Sequence, residues 1–461
     1  MAFTRLAIFI AICSMVVPFA AHGTAGQKSS QSSAFSERLS GSEKIAQALD
    51  RLTFGPRPGD SEEVQRIGLR KWVEWQLHPE RIAENALLVS KLKPYASLSM
   101  KPRDLFLDYP SPREVRTDLA SAKILRAIYS ERQLQEEMVD FWFNHFNIYF
   151  NKGADRYLTT GYEREAIRPH VFGKFYDLLL ATAKSPAMLF YLDNAESVAP
   201  NSQRLYARNA RKQEKRGLNE NYGRELMELH TLGVTGGYTQ RDVIEVARCF
   251  TGWTISPPRR GGEFRFNPRL HDFGPKIVLG HAIHAGGDMS DGLEVLKILA
   301  NSPATARHIS LELATRFVAD NPPPALVERM TATHLRTHGD IRAVLETMIF
   351  SPEFFSKGAY RAKVKTPFEM VVSAVRASGA DIESPLALDR QIARLGEPLY
   401  LKIEPTGYSN NNAEWMNTAS LLGRMNFALA LAKNHIPGVS LPANGGEQLA
   451  ATLGSPGFQR H

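Results

Sequence analysis

Cysteine is almost absent from this chain: only Cys13 and Cys249 occur. One internal disulfide is the most it could form, and none survives if the N-terminal apolar run holding Cys13 is removed, so stability has to come from packing. Long apolar runs are also missing. After the N-terminus nothing approaches the roughly 20 uncharged residues that a membrane helix needs. No fixed-period repeat is visible, which argues against a solenoid, and no nucleic-acid-binding motif appears. Lone serines and Cys249 lack an elbow or triad context, which leaves serine or cysteine hydrolase chemistry without support. Cys249, among Val246, Ala247 and Phe250, reads as a small buried hydrophobe. Strand-like alternation is scarce. Its best cases, Glu263–Phe266 and Lys276–Leu279, flank a Pro/His/Asp/Gly turn and would form at most one small β-hairpin.

What is present is ordinary globular composition, 43% hydrophobic and 23% charged, enough for a large core. At the N-terminus Arg5, the apolar run Leu6–Val17 and small residues from Ala20 to Ala25 predict a signal peptide over residues 1–25 and an exported protein, periplasmic or extracellular. Ile12 before Cys13 is wrong for a lipoprotein cleavage site. Residues 26–42, rich in Ser and Gln, read as a flexible leader. A single helical domain is expected over 43–435, with a loose tail over 436–461. Arg5 is the only charged residue in the signal, so the net charge of +8 falls to about +7 on cleavage. Such a chain is attracted to an anionic envelope polymer, whereas nucleic acid is a poor partner for an exported protein.

Helical periodicity dominates the domain, for example over Leu134–Tyr149, Glu220–Leu232, Arg241–Phe250, Thr305–Val318 and Pro367–Ala377, which predicts a mainly α, multi-helix fold. Ser185–Pro186, Ser302–Pro303, Ser351–Pro352 and Thr366–Pro367 each place a hydroxyl before a proline, the pattern of a capped first turn.

Several long motifs carry a resemblance. They are LTFGPRPGD from Leu52, DFWFNHFN from Asp140, NENYGRELMELHTLGV from Asn219, YTQRDVIEVARCFTGWT from Tyr238, HDFGPKIVLG from His271, and PTGY from Pro405 with Trp415 downstream. In this order they resemble the bacterial family catalogued as domain of unknown function 1800, over about Glu43 to Lys433. Gly223 departs from the pattern, since many members carry alanine there. The resemblance implies an exported, mostly helical bacterial protein, often encoded beside a sulfatase-like gene whose product is a candidate partner. It transfers no catalytic residues.

The densest stretch for chemistry runs from Arg216 to Ile255. On a helix Asn221, Glu225 and Glu228 stack at i, i+4 and i+7, a stripe suited to a divalent metal or an acid/base pair, or simply to a solvated face. His230 points away from Glu228 and reads as a core histidine. His271 and Asp272, in a loop, are candidates to complete a metal site of Glu225, Glu228 and His271 or to supply a base, with Asp272 orienting the imidazole. Arg224 would steady an anionic substrate. On the buried 134–150 helix Asp140, Asn144 and Asn147 form a second polar stripe that needs partners, either arginines or a polar cavity shared with the glutamates. The basic run Arg204–Arg216 is either a solvated insertion or a lid. The expectation is a metal-assisted hydrolase acting on an envelope or extracellular polymer; the alternative is a non-catalytic scaffold that binds a partner.

Overall fold

A computed structural model describes residues 33–109, 111–200, 217–442 and 446–461. The expected signal, the first part of the leader and the basic run Arg204–Arg216 lie outside the described residues. The fold is mainly α, with 60% of the described residues in helices. Among the described residues no helix is long and apolar enough to cross a membrane.

The helices that build the site are labelled in chain order: α1 Gly41–Leu52, α2 Pro112–Tyr129, α3 Gln133–His145, α4 Asn221–Met227, α5 Gln240–Cys249, α6 Pro303–Phe317, α7 Pro324–Arg336, α8 Pro367–Ser378 and α9 Thr418–Ala432. Local chemistry fixes many of their ends. Reciprocal capping boxes start α1 (Ser40 with Glu43), α5 (Thr239 with Asp242) and α8 (Thr366 with Glu369), satisfying amides that the first turn leaves free. Ser302 accepts from the Ala304 amide at 3.2 Å ahead of α6. Ser351–Pro352 instead opens a turn, where Ser351 Oγ accepts from the Phe354 amide at 3.2 Å before the chain meets the N-terminal segment. Helix α3 stops at His145, short of the expected Tyr149, because Phe146 leaves helical geometry at φ −102° and ψ 49°. Beyond Met227, α4 widens into a π-helical turn, Glu228–Leu232, ended by Gly233 at φ 80°.

The core is one contiguous cluster in which Leu134, Met138 and Trp142 of α3 are fully enclosed. Arg316 of α6 lies inside it, pairing with Glu137 (2.9 Å), Asp140 (3.2 Å) and Glu369 (2.8 Å), and so ties α3, α6 and α8 together.

The small β content differs from the expected hairpin. Three two-stranded antiparallel sheets are described: β1 Trp253–Ile255 with β2 Phe264–Phe266, β3 Lys276–Val278 with β4 His281–Ile283, and β5 Asp381–Ile382 with β6 Val439–Ser440. Both predicted strands exist, but each pairs with its sequence neighbour. Leu279 (φ 49°) and Gly280 (φ 79°) form a two-residue turn whose positive φ values suit the twist of a hairpin, so β3 closes on β4.

Packing also extends past the expected domain limits. Phe35 and Leu39 are buried, and the Leu39 amide donates to Phe355 O at 3.2 Å. At the other end β6 pairs with β5, Arg460 bridges to Val364, and His461 Nδ1 donates to Asp50 O at 3.0 Å. The leader from Phe35 onward and the described part of the tail are therefore built into the fold. A few apolar anchors decide this, and average composition conceals them.

Candidate functional site

The residues singled out from sequence do not converge. Among the described residues no three His, Cys, Asp or Glu side chains are placed to hold one metal ion, so Glu225, Glu228 and His271 are not a ligand set. His271 is enclosed, with Nδ1 2.7 Å from Thr251 O and Nε2 3.3 Å from Asp291; Lys276 pairs with the same Asp291 at 2.5 Å. The carboxylate facing the imidazole is thus Asp291 and not Asp272. Asp272 is held by Arg248 at 2.8 Å. Burial opposes ionisation there, but Arg248 and the Gly274 amide hold the Asp272 carboxyl below its ordinary value.

The glutamate stripe is a local feature of α4. Glu228 accepts from Tyr238 Oη at 2.6 Å, and burial together with that bond pushes the phenol up to about 12. Burial, then the neighbouring Glu228, raises Glu225 above its usual value. Arg224 is engaged with Gln240 (2.9 Å) and Glu220 (3.5 Å), and Asn221 Nδ2 donates to Leu192 O at 3.5 Å. The second stripe takes its structural reading. Asp140 pairs with Lys123 at 2.5 Å and with Arg316. Asn147 donates to the carbonyls of Lys402 and Glu404 at 3.1 and 2.8 Å. Asn144 donates to Tyr408 O at 2.8 Å and accepts from the Tyr408 amide at 2.6 Å. These bonds fix the PTGY loop on α3. Gly407 (φ 67°) is needed there, since a Cβ would lie 2.3 Å from Asn144 O.

That docking forms one wall of an open cavity of about 780 Å³, within the range of small-molecule sites. Its other walls are the last turn of α3, one face of α6, and the turn from Asp320 to Pro324. Phe35 of the N-terminal segment and Leu229 also line it. On α6 His308, Leu311, Glu312 and Thr315 recur at helical spacing and so face the cavity together. From α3 come Phe141 and His145, beside Asn144 of the stripe used for docking.

The two cavity histidines are held by the π-turn. His145 Nε2 donates to His230 O at 3.2 Å, and His308 Nε2 donates to Leu229 O at 3.3 Å. A wide turn at a helix C-terminus leaves carbonyls without intrahelical partners, and here two imidazoles fill that role. Gly233 permits the approach, because a Cβ there would sit 3.0 Å from His308 Nδ1. A carbonyl only accepts, so the proton of neutral His145 is on Nε2 and Nδ1 carries a lone pair. Burial, then His308 and His230, keeps His145 well below the usual histidine range. The helix end would favour a cation, yet desolvation wins. Burial likewise raises Glu312, against the opposing pull of His308 and Lys363. The cavity therefore presents a neutral imidazole and a carboxyl biased toward its protonated form.

Of these groups sequence reading had marked only Asn144, for a different role. His145 lies among the rings of Phe141, Trp142 and Phe146, apolar neighbours that conceal its access to the cavity from a sequence pattern. The available signal was His308–Glu312 at i, i+4 within Thr305–Val318. Cys249 and His230 behave as read: both are buried, burial pushing the thiol up to about 12 and the imidazole down to about 3.

A family model described as a protein of unknown function (DUF1800) matches residues 47–459. Neither a curated protein nor a solved structure matches the chain.

Proposed function

Because the chain belongs to DUF1800, a family of proteins of unknown function whose description assigns no reaction, we propose a function from the cavity: acid–base hydrolysis of an envelope or extracellular polymer by an exported protein. The observation that carries it is the convergence of neutral His145 with Glu312 in an open cavity. Pairs of titratable groups whose surroundings push them in opposite directions are the mark of assigned acid and base roles. In this reading water attacks the electrophilic centre and gives its proton to His145 Nδ1. The bond to the leaving atom breaks, and its electron pair takes the proton of Glu312. The resulting imidazolium and carboxylate then exchange a proton through solvent, restoring both groups. His308 stands one turn before Glu312 on the same face of α6. The three residues of the metal-assisted form, Glu225, Glu228 and His271, form no ligand group among the described residues.

His145→Asn and Glu312→Gln should each lower release of soluble product from envelope fractions by about 10²-fold or more, with unchanged circular dichroism. Activity requires His145 neutral and Glu312 protonated. The wild-type profile should therefore fall on the acid side below the ordinary histidine range and on the alkaline side above the ordinary carboxylate range. The alkaline limb should vanish in Glu312→Gln. Full turnover by either variant would refute these roles.

A second reading, a scaffold for a partner such as the product of the neighbouring sulfatase-like gene, is favoured by one surface. Helix α9 leaves Leu421, Leu422, Met425 and Leu429 exposed along one face, an apolar stripe of the kind that marks association sites.

A further inference from the structure

We infer that the cavity between α3, α6 and the PTGY loop takes an uncharged glycan, not the anionic polymer that the charge of the whole chain favours. This names the substrate class for the proposed hydrolase and rests on that reading for its location.

Charge is the first argument. Among the described residues no lysine or arginine lines the cavity; its ionisable groups are His145, His308, Glu312, Asp320 and the Tyr408 phenol. Asp320 is occupied on its inner side, where Lys363 Nζ donates to Oδ1 and the Asn412 amide to Oδ2 at 3.0 Å. A phosphate, sulfate or uronate would leave water to face carboxyl groups and the neutral His145 ring, with no lysine or arginine among the described lining residues to compensate its desolvation. The net charge of +8 therefore acts on the outer surface and not inside this cavity.

The second argument is hydrogen-bonding capacity. Asn321, Asn410 and Asn411 line the cavity, and among the described residues their side-chain amides have no hydrogen-bond partner. Each amide both donates and accepts, as a sugar hydroxyl does, so a polyhydroxylated chain meets groups able to satisfy it in either sense. Thr315 and Ser409 add hydroxyls of the same versatility.

Shape supplies the third. Phe141, Tyr408 and the ring faces of Pro322, Pro323 and Pro324 offer flat apolar surface, against which the C–H face of a pyranose can be desolvated. Tyr408 is fixed by its Oη donating to Pro398 O at 2.9 Å and by the Asn144 clamp. Among the described residues no strand borders the cavity, so an extended peptide finds no sheet edge there to extend.

The test is calorimetric titration of the full chain carrying Glu312→Gln, which blocks turnover in the proposed mechanism. The titrants are neutral hexose and N-acetylhexosamine oligomers, and hexuronate oligomers of matched length. A neutral oligomer should bind at least about tenfold more tightly than its uronate counterpart. Adding Asn321→Ala and Asn411→Ala should weaken it about thirtyfold, the equivalent of two ordinary hydrogen bonds. Thr315→Lys, which places a cation on the α6 face, should shift preference toward the uronate. Equal or tighter uronate binding, no binding of any neutral oligomer, or no effect of the double asparagine change overturns the inference. Neutral binding without turnover by the wild-type chain would uphold the glycan site and refute the hydrolase reading.

Discussion

At His230 the ring is 2% exposed, lies 5.0 Å from the Phe146 ring and has no protein hydrogen bond at Nε2. Burial holds its pKa down to about 3, from an ordinary 6.5. In the unfolded chain the same ring takes up a proton near 6.5, so between 6.5 and 3 the unfolded state binds more protons and stability falls as pH falls. The full loss across that window is on the order of 5 kcal/mol. His145, also depressed, acts in the same direction. Replacing His230 by Phe should therefore flatten the acid limb of stability, measured as denaturant midpoint against pH, while leaving the neutral midpoint within about 1.5 kcal/mol of its original value. An unchanged acid limb would show that other groups control acid unfolding. The burial of His230 was legible in sequence, because it falls beside Leu226 and Leu229 on the helical wheel. The exposure of His145 to a cavity was not, since it depends on the PTGY loop and α6, both more than a hundred residues away.

At the scale of elements, helix starts were the most readable feature, because capping is local: Ser302 and Thr366 act as their spacing predicts. Ends were less so. Nothing in Phe146–Tyr149 breaks the apolar pattern of α3, yet the helix stops where the chain must turn toward Tyr400, whose carbonyl accepts from the Phe150 amide at 3.1 Å. Helix α9 went unread altogether, as its apolar residues lie on both the buried and the exposed face. The partners of the α3 polar stripe were anticipated in kind, as buried charges must be paired. Their convergence on Arg316 could not be, because α3, α6 and α8 meet only in three dimensions. Arg316→Met would strand Glu137, leave Glu369 with only the Thr366 amide and the His461 ring, and leave Lys123 to Asp140 alone. We expect a loss of about 3–5 kcal/mol in unfolding free energy, read by denaturant titration at neutral pH and partly recovered at acid pH as the carboxylates protonate. A loss below 1 kcal/mol would mean that the three helices are held by apolar packing alone.

For the whole molecule, the mainly α class followed from periodicity, whereas the extent of the domain did not. Its edges are set by Phe35 and by the residues around Gln459, which accepts from Arg424 at 3.1 Å and donates to Leu453 O at 2.9 Å. Ending the chain at residue 435 removes β6, the 447–454 helix that packs on α9, and the bridge to Val364. Such a truncation should aggregate or unfold well below the temperature of the intact protein in a thermal melt; a melt within a few degrees would return the tail to a dispensable role. Molecular scale also explains how the cavity histidine is governed. In familiar hydrolytic sites a carboxylate side chain dictates which imidazole nitrogen bears hydrogen, and one substitution can scramble that choice. At His145 the dictating group is the main-chain oxygen of position 230, present whatever residue stands there. Its tautomer is accordingly indifferent to side-chain replacement at that neighbour, and vulnerable instead to any insertion or deletion that rewinds residues 228–232 into a regular helix.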